Sequence, residues 1–245
     1  MGLNPWPYPL WIAHRGAGKL APENTLAAFR LGAQHGYRAF ECDVKLSADE
    51  VPFLLHDPKL DRTTSGRGVA GDLPWSELSK MDAGSWHSRT YAGEPMPTLA
   101  ALSTYIQRNE FFLDLEIKPT PGLELKTGQV VGREVERLWA RASTPPLFTS
   151  FRPEALQGAR DTAARIPRGL LLDTLWDGWL QVAQALECQA VITNYGVMSA
   201  DLVQQLHRAG LRALVYTVND PSVAQWLLGL GIDGIVTDAV DKFAP

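Results

Sequence analysis

Residues 190–238, AVITNYGVMSADLVQQLHRAGLRALVYTVNDPSVAQWLLGLGIDGIVTD, alternate short apolar runs with amphipathic ones. The apolar runs span Ala190–Tyr195, Arg212–Asn219 and Asp233–Asp238, and the amphipathic runs between them span Asp201–Ala209 and Pro221–Leu230. Because the apolar runs are nearly continuous instead of strictly alternating, they are typical of parallel strands that are covered on both faces. Ser199 is a suitable N-cap for the first predicted helix, and Gly210 is a suitable stop after its last turn. This stretch predicts parallel strands that alternate with helices.

The same alternation extends towards the N-terminus. Further apolar runs span Leu10–Ala13, Ala39–Val44, Phe111–Ile117, Pro146–Phe151 and Arg168–Asp173, and further helical patterns span Glu23–Gln34 and Gly132–Ala142. Eight strands with intervening helices predict a (β/α)8 barrel, the TIM barrel of the α/β class. A doubly wound open sheet is the alternative, because periodicity alone does not show whether the sheet closes.

One segment interrupts this alternation. After AFECDVKL, a polar turn SADE leads into VPFLLHD, which predicts a second short strand running back along the first. Residues 58–97 are rich in Gly, Pro, Asp and Ser, and their periodicity is weak. A long irregular segment inside a compact domain is usually a functional excursion or a small insertion. We expect a single domain, residues 1–245, with this insertion above the C-terminal mouth of the barrel, where it could form a wall of a substrate pocket.

The composition limits the classes of partner. The 245 residues are 45% apolar and 20% charged, and the formal net charge is -4. These values fit one globular domain, and they provide no broad basic surface for nucleic acid or anionic lipid. Cys42 and Cys188 form no CxxC pair, which argues against a disulfide framework and against a structural zinc site.

The N-terminal residues carry no recognisable targeting pattern. They contain no basic segment followed by a long apolar one, as a secretory signal would require. Trp6 stands where the myristoylation pattern beginning at Gly2 requires Ser or Thr. No apolar run of the chain is long enough to cross a bilayer. We therefore expect a cytoplasmic protein without a stable membrane anchor, whose oligomeric state the sequence does not indicate.

Acidic residues lie within two of the predicted strands. Glu41 and Asp43 are two positions apart, so both carboxylates project from one face, and Asp114 and Glu116 repeat this spacing on another strand. Because the C-terminal ends of barrel strands converge, we expect Glu41, Asp43 and Glu116 to surround one point. Their charges would repel one another there unless a cation lay between them. Oxygen ligands favour Mg²⁺ or Ca²⁺, with Mn²⁺ next.

Basic side chains accompany the acidic ones. Pairing with Lys45 or Lys118 is the alternative to a metal, although a third carboxylate on a separate strand favours the metal, because buried charges are costly unless paired or metal-bound. His14 and His56 follow two different strands and are candidates for an acid and a base, since imidazole titrates near neutral pH. Arg15 and Lys118 would supply positive charge to a phosphate. This combination favours cleavage at phosphorus over carbonyl chemistry.

A series of motifs occurs in a fixed order along the chain. It consists of HRGAGKLAPENTLAAF, ECDVKLSADEVPFLLHDPKLDRTTSGRG, DAGSW, MPTLAAL and LDLEIK, followed by TSFRPEAL, VYTVND and GIDGIVTD. In this order and spacing the motifs closely resemble those of the bacterial glycerophosphodiester phosphodiesterases, and the resemblance covers nearly the whole chain. HRG, ENT, ExD, HD and LEIK together form a specific signature, whereas any one of them alone would be a weak signal.

The resemblance implies a (β/α)8 barrel with a small insertion after the HD motif. It also implies an enzyme that releases sn-glycerol 3-phosphate and an alcohol such as choline or ethanolamine. The implied roles are the divalent ion for Glu41, Asp43 and Glu116, acid and base for His14 and His56, phosphate for Arg15 and Lys118, and support of the substrate site near His14 for Glu23 and Asn24. The nucleophile is either water or the glycerol hydroxyl of the substrate, and we expect His14 as the base and His56 as the acid.

Residues after later strands are additional candidates for substrate contact. Tyr216 stands where many relatives of this family carry Trp, and we expect its ring to form part of the wall of the site, the alternative being an aromatic of the barrel core. Asn194 is expected to contact glycerol hydroxyls, unless it caps a turn. Weaker candidates are Trp86, Trp176 and Trp179 for substrate contact and Arg152 for phosphate.

Three other functions remain open at this level. A lysophospholipase D or a phosphoinositide-like phospholipase would need an apolar ramp for an acyl chain, and the absence of an obvious membrane-binding stretch favours a water-soluble substrate instead. A barrel that binds metal and phosphate without catalysis is the second alternative, although every expected catalytic position is filled. A metal-dependent sugar isomerase is the third, and it would leave Arg15 and Lys118 unexplained.

Overall fold

The computed structural model describes residues 6–245. The expectation about lipidation at Gly2 lies outside the described residues. Within the described part of the chain, no helix has both the length and the apolar character that a membrane span requires. The expected cytoplasmic location stays a prediction.

Nine strands and eight α-helices alternate along residues 6–245. The strands are β1 (Trp11–Ala13), β2 (Ala39–Leu46), β3 (Pro52–Leu54), β4 (Phe112–Ile117), β5 (Leu147–Ser150), β6 (Arg168–Leu172), β7 (Ala190–Asn194), β8 (Arg212–Tyr216) and β9 (Gly234–Thr237). The helices are α1 (Leu26–Gln34), α2 (Trp75–Leu78), α3 (Leu99–Arg108), α4 (Glu124–Leu138), α5 (Pro153–Thr162), α6 (Trp179–Ala185), α7 (Ala200–Arg208) and α8 (Pro221–Gly229). Short 3-10 helices span Ala70–Asp72, Arg89–Tyr91 and Tyr195–Val197.

The sheet closes on itself. Its order is β1-β9-β8-β7-β6-β5-β4-β2-β3, and β1 also pairs with β2, so that Ala13 is aligned with Thr237 on one side and with Phe40 on the other. All of these pairs are parallel except that between β2 and β3, in which Val44 lies opposite Leu54. The predicted TIM barrel is therefore confirmed and the doubly wound open sheet is excluded, because an open sheet would leave β1 or β2 unpaired at an edge.

The barrel interior combines an apolar cluster with a polar region. The cluster consists of Tyr8, Ile12, Ala39, Leu147, Leu171, Ala190, Ile192, Leu214 and Val236. On β2, Ala39 belongs to this interior cluster, whereas Phe40, Cys42 and Val44 pack in the outer core between strands and helices. Because side chains alternate along a strand, Glu41 and Asp43 share the interior face with Ala39. The two carboxylates therefore project from one face of β2, as predicted, and this face is the barrel interior.

Helix α1 begins later than predicted. Thr25 is its N-cap, with an extended backbone and a hydroxyl that accepts a hydrogen bond from the Ala28 N–H at 3.2 Å. Asn24 has a φ of 59° and cannot belong to the helix. The helix therefore starts at Leu26, and the ENT motif forms the turn that leads into it.

Helix α4 differs more from the sequence prediction, which placed a helix at Gly132–Ala142. The observed helix runs from Glu124 to Leu138, and glycines 128 and 132 are among its buried positions. A Cβ atom at Gly128 would lie 2.0 Å from the Ala155 carbonyl oxygen, so the buried face is made of close backbone contacts with α5. Apolar periodicity does not reveal such a face, and the patterns also left α3, α5 and α6 unassigned.

The insertion, residues 58–97, packs around a small core of its own. That core consists of Phe53, Leu55, Leu60, Ala70, Leu78, Ala83 and Met96. Glu94 connects the insertion to the first turn of α1, because its Oε1 accepts a hydrogen bond from the Ala27 N–H at 3.0 Å. Of the described residues that line the central cavity, none belongs to the insertion, so the expectation that it forms a wall of the pocket is not supported.

Candidate active site

A cavity of about 310 Å³ opens at the C-terminal ends of the strands. The predicted site residues that line it are His14, Arg15, Glu41, His56, Glu116, Lys118 and Tyr216. They come from β2, β4, β8 and the loops that follow β1, β3 and β4, so the closed barrel gathers residues that are far apart in the sequence. Active sites of TIM barrels lie at this face, because the loops that follow the strands converge there.

Three carboxylates meet beside this cavity. Glu41, Asp43 and Glu116 each offer one oxygen atom, and these atoms lie within 4.8 Å of one another. All three residues are buried. The pairing of β2 with β4 aligns Asp43 with Glu116, so the strand register itself brings the carboxylates together. The predicted convergence is thus observed.

One oxygen of each carboxylate lacks a hydrogen bond. These atoms are Glu41 Oε1, Asp43 Oδ1 and Glu116 Oε1, all of them buried. Lys118 Nζ lies 2.8 Å from Glu116 Oε1 and 3.8 Å from Asp43 Oδ1, so one cation already faces part of this charge. Buried polar atoms without partners are costly, and oxygen atoms that converge in this way suit a hard divalent cation. The residues present therefore fit the predicted metal.

The surroundings change the pKa values of the three carboxyl groups in different directions. Burial and then the charges of Asp43 and Glu116 raise the pKa of Glu41 well above its usual range. Burial and then the charge of Asp43 raise the pKa of Glu116 to about 8. For Asp43, burial acts in the same direction, but Arg15, Lys118 and His56 outweigh it and hold its pKa at about 2. Without a cation, the group therefore carries fewer than three negative charges at neutral pH.

Arg15 lies in a strained turn directly after β1. Its φ of 50° is in the left-handed region, where residues other than glycine are uncommon. In this conformation its backbone N–H donates to Glu41 Oε2 at 3.0 Å. Its guanidinium lies 3.1 Å from Asp43 Oδ2 through Nε and 3.0 Å from Glu23 Oε1 through Nη1. The HRG turn thus connects the end of β1 to two of the carboxylates.

The ENT motif contacts both Asp43 and Arg15. Asn24 donates from Nδ2 to Asp43 Oδ2 at 2.8 Å and accepts from the Asp43 N–H on Oδ1 at 3.1 Å. Its side chain is 3% exposed and both of its polar ends are occupied. Glu23 binds Arg15 and also accepts two hydrogen bonds of 2.8 Å from Arg62. These contacts favour a positioning role for Glu23 and Asn24, which is consistent with the support of the substrate site that the resemblance implies for them.

His14 is oriented by a carboxylate that the sequence prediction missed. Its Nδ1 lies 2.6 Å from Asp238 Oδ1, and its Nε2 lies 3.8 Å from Glu41 Oε2. Asn219 in turn donates from Nδ2 to Asp238 Oδ2 at 3.1 Å. Both residues belong to recognised motifs, GIVTD and VYTVND, but their role depends on β9 lying beside β1.

His56 has a comparable arrangement with a different electrostatic environment. Its Nδ1 lies 2.7 Å from Asp57 Oδ1, and Arg62 donates to both oxygens of Asp57. The negative charge behind His56 is therefore already compensated. Burial, followed by the charges of Arg15 and Lys118, lowers the pKa of His56, although Asp43 opposes this. The neutral imidazole is favoured at this position.

The remaining candidates lie at different distances from the cavity. Tyr216 lines it, and its ring packs edge-to-face with Phe151 at 5.6 Å between centroids. Asn194 is not among the lining residues, and its Oδ1 accepts from the Gly196 N–H in a turn. Trp179 is buried in the outer core, which excludes the substrate contact proposed for it. Trp86, Trp176 and Arg152 also lie outside the lining of the cavity.

Comparison with known proteins gives one consistent result. The sequence model described as the Glycerophosphoryl diester phosphodiesterase family matches residues 14–242. A glycerophosphodiester phosphodiesterase of Caldanaerobacter subterraneus subsp. tengcongensis is 31% identical over 236 residues, which cover 94% of this chain and 93% of that protein.

Solved structures agree with the sequence comparison. A phosphodiesterase of Oleispira antarctica, solved in complex with its product sn-glycerol-3-phosphate, superposes with a TM-score of 0.89 at 34% identity and covers 96% of this chain and 95% of that one. A glycerophosphodiester phosphodiesterase from Agrobacterium tumefaciens superposes with a TM-score of 0.80 at 29% identity, covering 96% and 98% of the two chains.

Proposed function

This chain belongs to the glycerophosphoryl diester phosphodiesterase family, and we propose that it hydrolyses glycerophosphodiesters to sn-glycerol 3-phosphate and an alcohol. The observation that carries this proposal is the convergence of three buried carboxylates, with Lys118 as the one cation facing their free oxygens among the described residues, beside two carboxylate-bound histidines. A site of this kind unites a place for a cation with two groups able to transfer protons at neutral pH. Both contribute to the cleavage of a phosphodiester.

We propose that Glu41, Asp43 and Glu116 hold the divalent cation, which is Mg²⁺ or Ca²⁺, with Mn²⁺ as the next choice. When bound, such an ion would withdraw charge from the phosphate oxygens and compensate the charge that develops at phosphorus. Arg15 and Lys118 line the same cavity and would bind the remaining phosphate oxygens, the arginine as a fork and the lysine as a point charge. The Oleispira antarctica relative, solved with its product sn-glycerol-3-phosphate, supports a phosphate-bearing product for this chain as well.

The environments of the two histidines favour His56 as the base and His14 as the acid, which is the reverse of the order expected from the sequence. His56 is held neutral by burial and by nearby cations, and a neutral imidazole can accept a proton from water or from the glycerol hydroxyl. Asp238 lies 2.6 Å from His14 Nδ1 and makes no ion pair with an arginine or lysine among the described residues, so it would orient the His14 imidazole for proton transfer to the leaving alkoxide. Different surroundings of two titratable groups are a common basis for such a division of roles.

The remaining candidate residues would support substrate binding either through other residues of the site or as part of the cavity wall. Glu23 and Asn24 would orient Arg15 and Asp43, through the hydrogen bonds described above. Tyr216 would contact the arm of the substrate that lies away from the metal. Asn194 would act behind this wall instead of binding glycerol hydroxyls itself.

A turnover panel tests the proposed function. Purified protein is stripped with EDTA and assayed for release of sn-glycerol 3-phosphate from glycerophosphocholine, glycerophosphoethanolamine and glycerophosphoglycerol, with Mg²⁺, Ca²⁺ or Mn²⁺ restored in turn. We expect turnover only with an added ion, and its loss in Glu41→Gln but not in Glu77→Gln, which changes an exposed glutamate of α2. Metal binding without turnover on any diester would instead support a non-catalytic barrel, and faster cleavage of lysophosphatidylcholine would support a lysophospholipase D.

A further inference from the structure

One carboxylate of the cavity lies outside the metal site. Asp173 follows β6 directly, lines the cavity and is exposed to it. Its contacts within the described residues are two long hydrogen bonds, from Asn194 Nδ2 at 3.4 Å and from Tyr216 Oη at 3.5 Å, both to Oδ1. No arginine, lysine or histidine of the described residues forms an ion pair with it. Asp173 is therefore a carboxyl group in the wall of a binding cavity that has no cationic partner among the described residues.

Aromatic rings stand beside this carboxylate. Tyr216 and Phe151 both line the cavity and pack edge-to-face, with an angle of 88° between their planes. Lys118 Nζ lies 5.2 Å from the centroid of the Phe151 ring, so one of these rings already faces a cation of the protein. Aromatic faces and a carboxylate are the two groups with which proteins bind ammonium ions, including quaternary ones.

The cavity consequently has two ends of opposite charge preference. At one end, Arg15 and Lys118 are placed to bind a phosphate. At the other end, the wall contributed by β6 and β8 offers Asp173 and the ring of Tyr216 and no basic side chain. Tyr216 lies between the two ends, because its Oη is 3.5 Å from Asp173 Oδ1 while its ring packs against Phe151, the ring that faces Lys118.

We propose that Asp173 and Tyr216 form a subsite for a positively charged alcohol group, so that the enzyme prefers diesters of choline and ethanolamine over diesters of neutral alcohols. This inference rests on the proposed function and adds a substrate preference to it. The alcohol arm of a glycerophosphodiester is cationic in the first group and uncharged in glycerophosphoglycerol, whereas phosphate and glycerol are common to all. A charge in the β6–β8 wall therefore distinguishes substrates only through the alcohol arm.

Asn194 and Tyr216 would fix the orientation of the Asp173 carboxylate. Asn194 is itself held, because its Oδ1 accepts from the Gly196 N–H at 2.9 Å while its Nδ2 points to Asp173. This leaves Oδ2 of Asp173 without a hydrogen bond among the described residues, available to an ammonium group. Asn194 is a positioning residue in this arrangement.

The experiment compares kcat/KM for glycerophosphocholine, glycerophosphoethanolamine and glycerophosphoglycerol in the wild type and in Asp173→Asn. We expect a loss of about 5- to 10-fold on the two cationic diesters and less than about 2-fold on glycerophosphoglycerol, the scale of a solvent-accessible ion contact together with a cation–π contact. Asp177→Asn is the matched control, since Asp177 is an exposed aspartate of the same loop that does not line the cavity. It should leave all three values unchanged.

A second measurement separates charge from shape. Tetramethylammonium chloride should inhibit hydrolysis of glycerophosphoglycerol competitively in the wild type, at ionic strength matched with NaCl, and inhibition should weaken in Asp173→Asn and in Tyr216→Leu. An equal loss on all three diesters would overturn the inference, because Asp173 would then bind the shared glycerol moiety. An unchanged ratio between cationic and neutral diesters would also overturn it. Absence of turnover in the wild type would refute the proposed function itself, and is thereby distinguishable from both of these outcomes.

Discussion

Glu41, Asp43 and Glu116 are buried in one barrel, yet only Asp43 is surrounded by enough positive charge to stay ionised. Arg15 and Lys118 lie within 3.1 and 3.8 Å of its two oxygens, whereas Glu116 has Lys118 alone as a cationic partner. Because the pKa of Glu116 is raised to about 8, a cation that binds to the group at neutral pH must replace a proton on Glu116. At this site, protons and the metal ion therefore compete for particular carboxyl groups.

Metal binding is predicted to release protons at neutral pH. Because the pKa of Glu116 is raised to about 8, this carboxyl group is mostly protonated at pH 7 and must ionise to bind a cation. We expect release of at least about one proton per ion at pH 7, declining towards pH 9, and an apparent affinity that rises with pH over this range. Calorimetric titration with Mn²⁺ in two buffers of different ionisation enthalpy measures the number. Identical enthalpies in the two buffers at pH 7 would contradict the prediction.

The division of roles between His14 and His56 predicts a dependence on the leaving group. A p-nitrophenyl diester of glycerol phosphate needs no acid, because p-nitrophenolate leaves without protonation. His14→Ala should lose about 10² to 10⁴-fold in kcat on glycerophosphocholine and regain most of this on the p-nitrophenyl diester, whereas His56→Ala should remain impaired on both. His35→Ala, an exposed histidine at the end of α1, serves as the control. If kcat on the p-nitrophenyl diester recovered in His56→Ala instead of His14→Ala, His14 would be the base and His56 the acid, as expected from the sequence.

At the level of elements, the catalytic turn after β1 depends on its contact with α1. A Cβ atom at Gly32 of α1 would lie 2.1 Å from the Gly16 carbonyl oxygen and 2.9 Å from the Phe40 ring. Gly16 itself has a φ of 100°, so the HRG turn has little freedom to move away. The absence of a side chain at Gly32 thus allows α1 to support the turn that carries His14 and Arg15.

Gly32→Ala is predicted to destabilise the protein and to reduce its activity. The added methyl group meets backbone, so we expect a cost of about 1–3 kcal/mol in the free energy of unfolding despite the better helix propensity of alanine. Gly229→Ala in α8 is the matched control, because a Cβ atom there meets nothing within 4 Å, and it should stabilise by up to about 1 kcal/mol. Urea denaturation and kcat/KM measure both. If Gly32→Ala and Gly229→Ala had equal free energies of unfolding, the HRG turn would be able to move away from the added methyl group at little energetic cost.

At the scale of the whole molecule, closure of the barrel imposes a conflict between stability and function. It buries acidic groups from two strands at one place, where they repel one another and one oxygen of each lacks a hydrogen bond. Such a site is retained for binding, since buried charges without a partner destabilise a fold. The bound ion should therefore stabilise the complete barrel.

Thermal unfolding is predicted to depend on the metal. At an ion concentration of about 100 times Kd, binding adds about 2.7 kcal/mol, which corresponds to a rise in Tm of roughly 5 to 11 °C for a domain of this size. In EDTA at pH 8.5, Glu116→Gln should be at least as stable as the wild type, because it removes one buried charge, and it should show little rise in Tm with added ion. Glu77→Gln should behave as the wild type. A metal-independent Tm in the wild type would exclude the three-carboxylate site.

Local patterns were sufficient for the strands, for some of the helices and for part of the site. The strand alternation predicted that Glu41 and Asp43 share a face, and Ser199 was predicted as the N-cap at which α7 begins. They were insufficient where backbone contacts replace apolar side chains, as at Gly128 of α4, and where a turn residue with positive φ, Asn24, moves a helix start. Hydrophobic periodicity reflects only which side chains are buried, so it reveals neither close backbone contacts nor turn residues with a positive φ.

The sequence by itself determined the order of the strands, some of the helices, the family motifs and the candidate acid, base and ligand residues, because these depend on short-range spacing. The tertiary structure decided that the sheet closes, that Asp238 lies 2.6 Å from His14 across 224 residues of sequence, and that Asp173 lies in the cavity wall without an ion pair among the described residues. The physical reason is that these contacts form between β9 and β1 and between β6 and β8, which approach one another only when the barrel is complete. The spacing of residues along the sequence does not show which strands lie close to one another in the complete barrel.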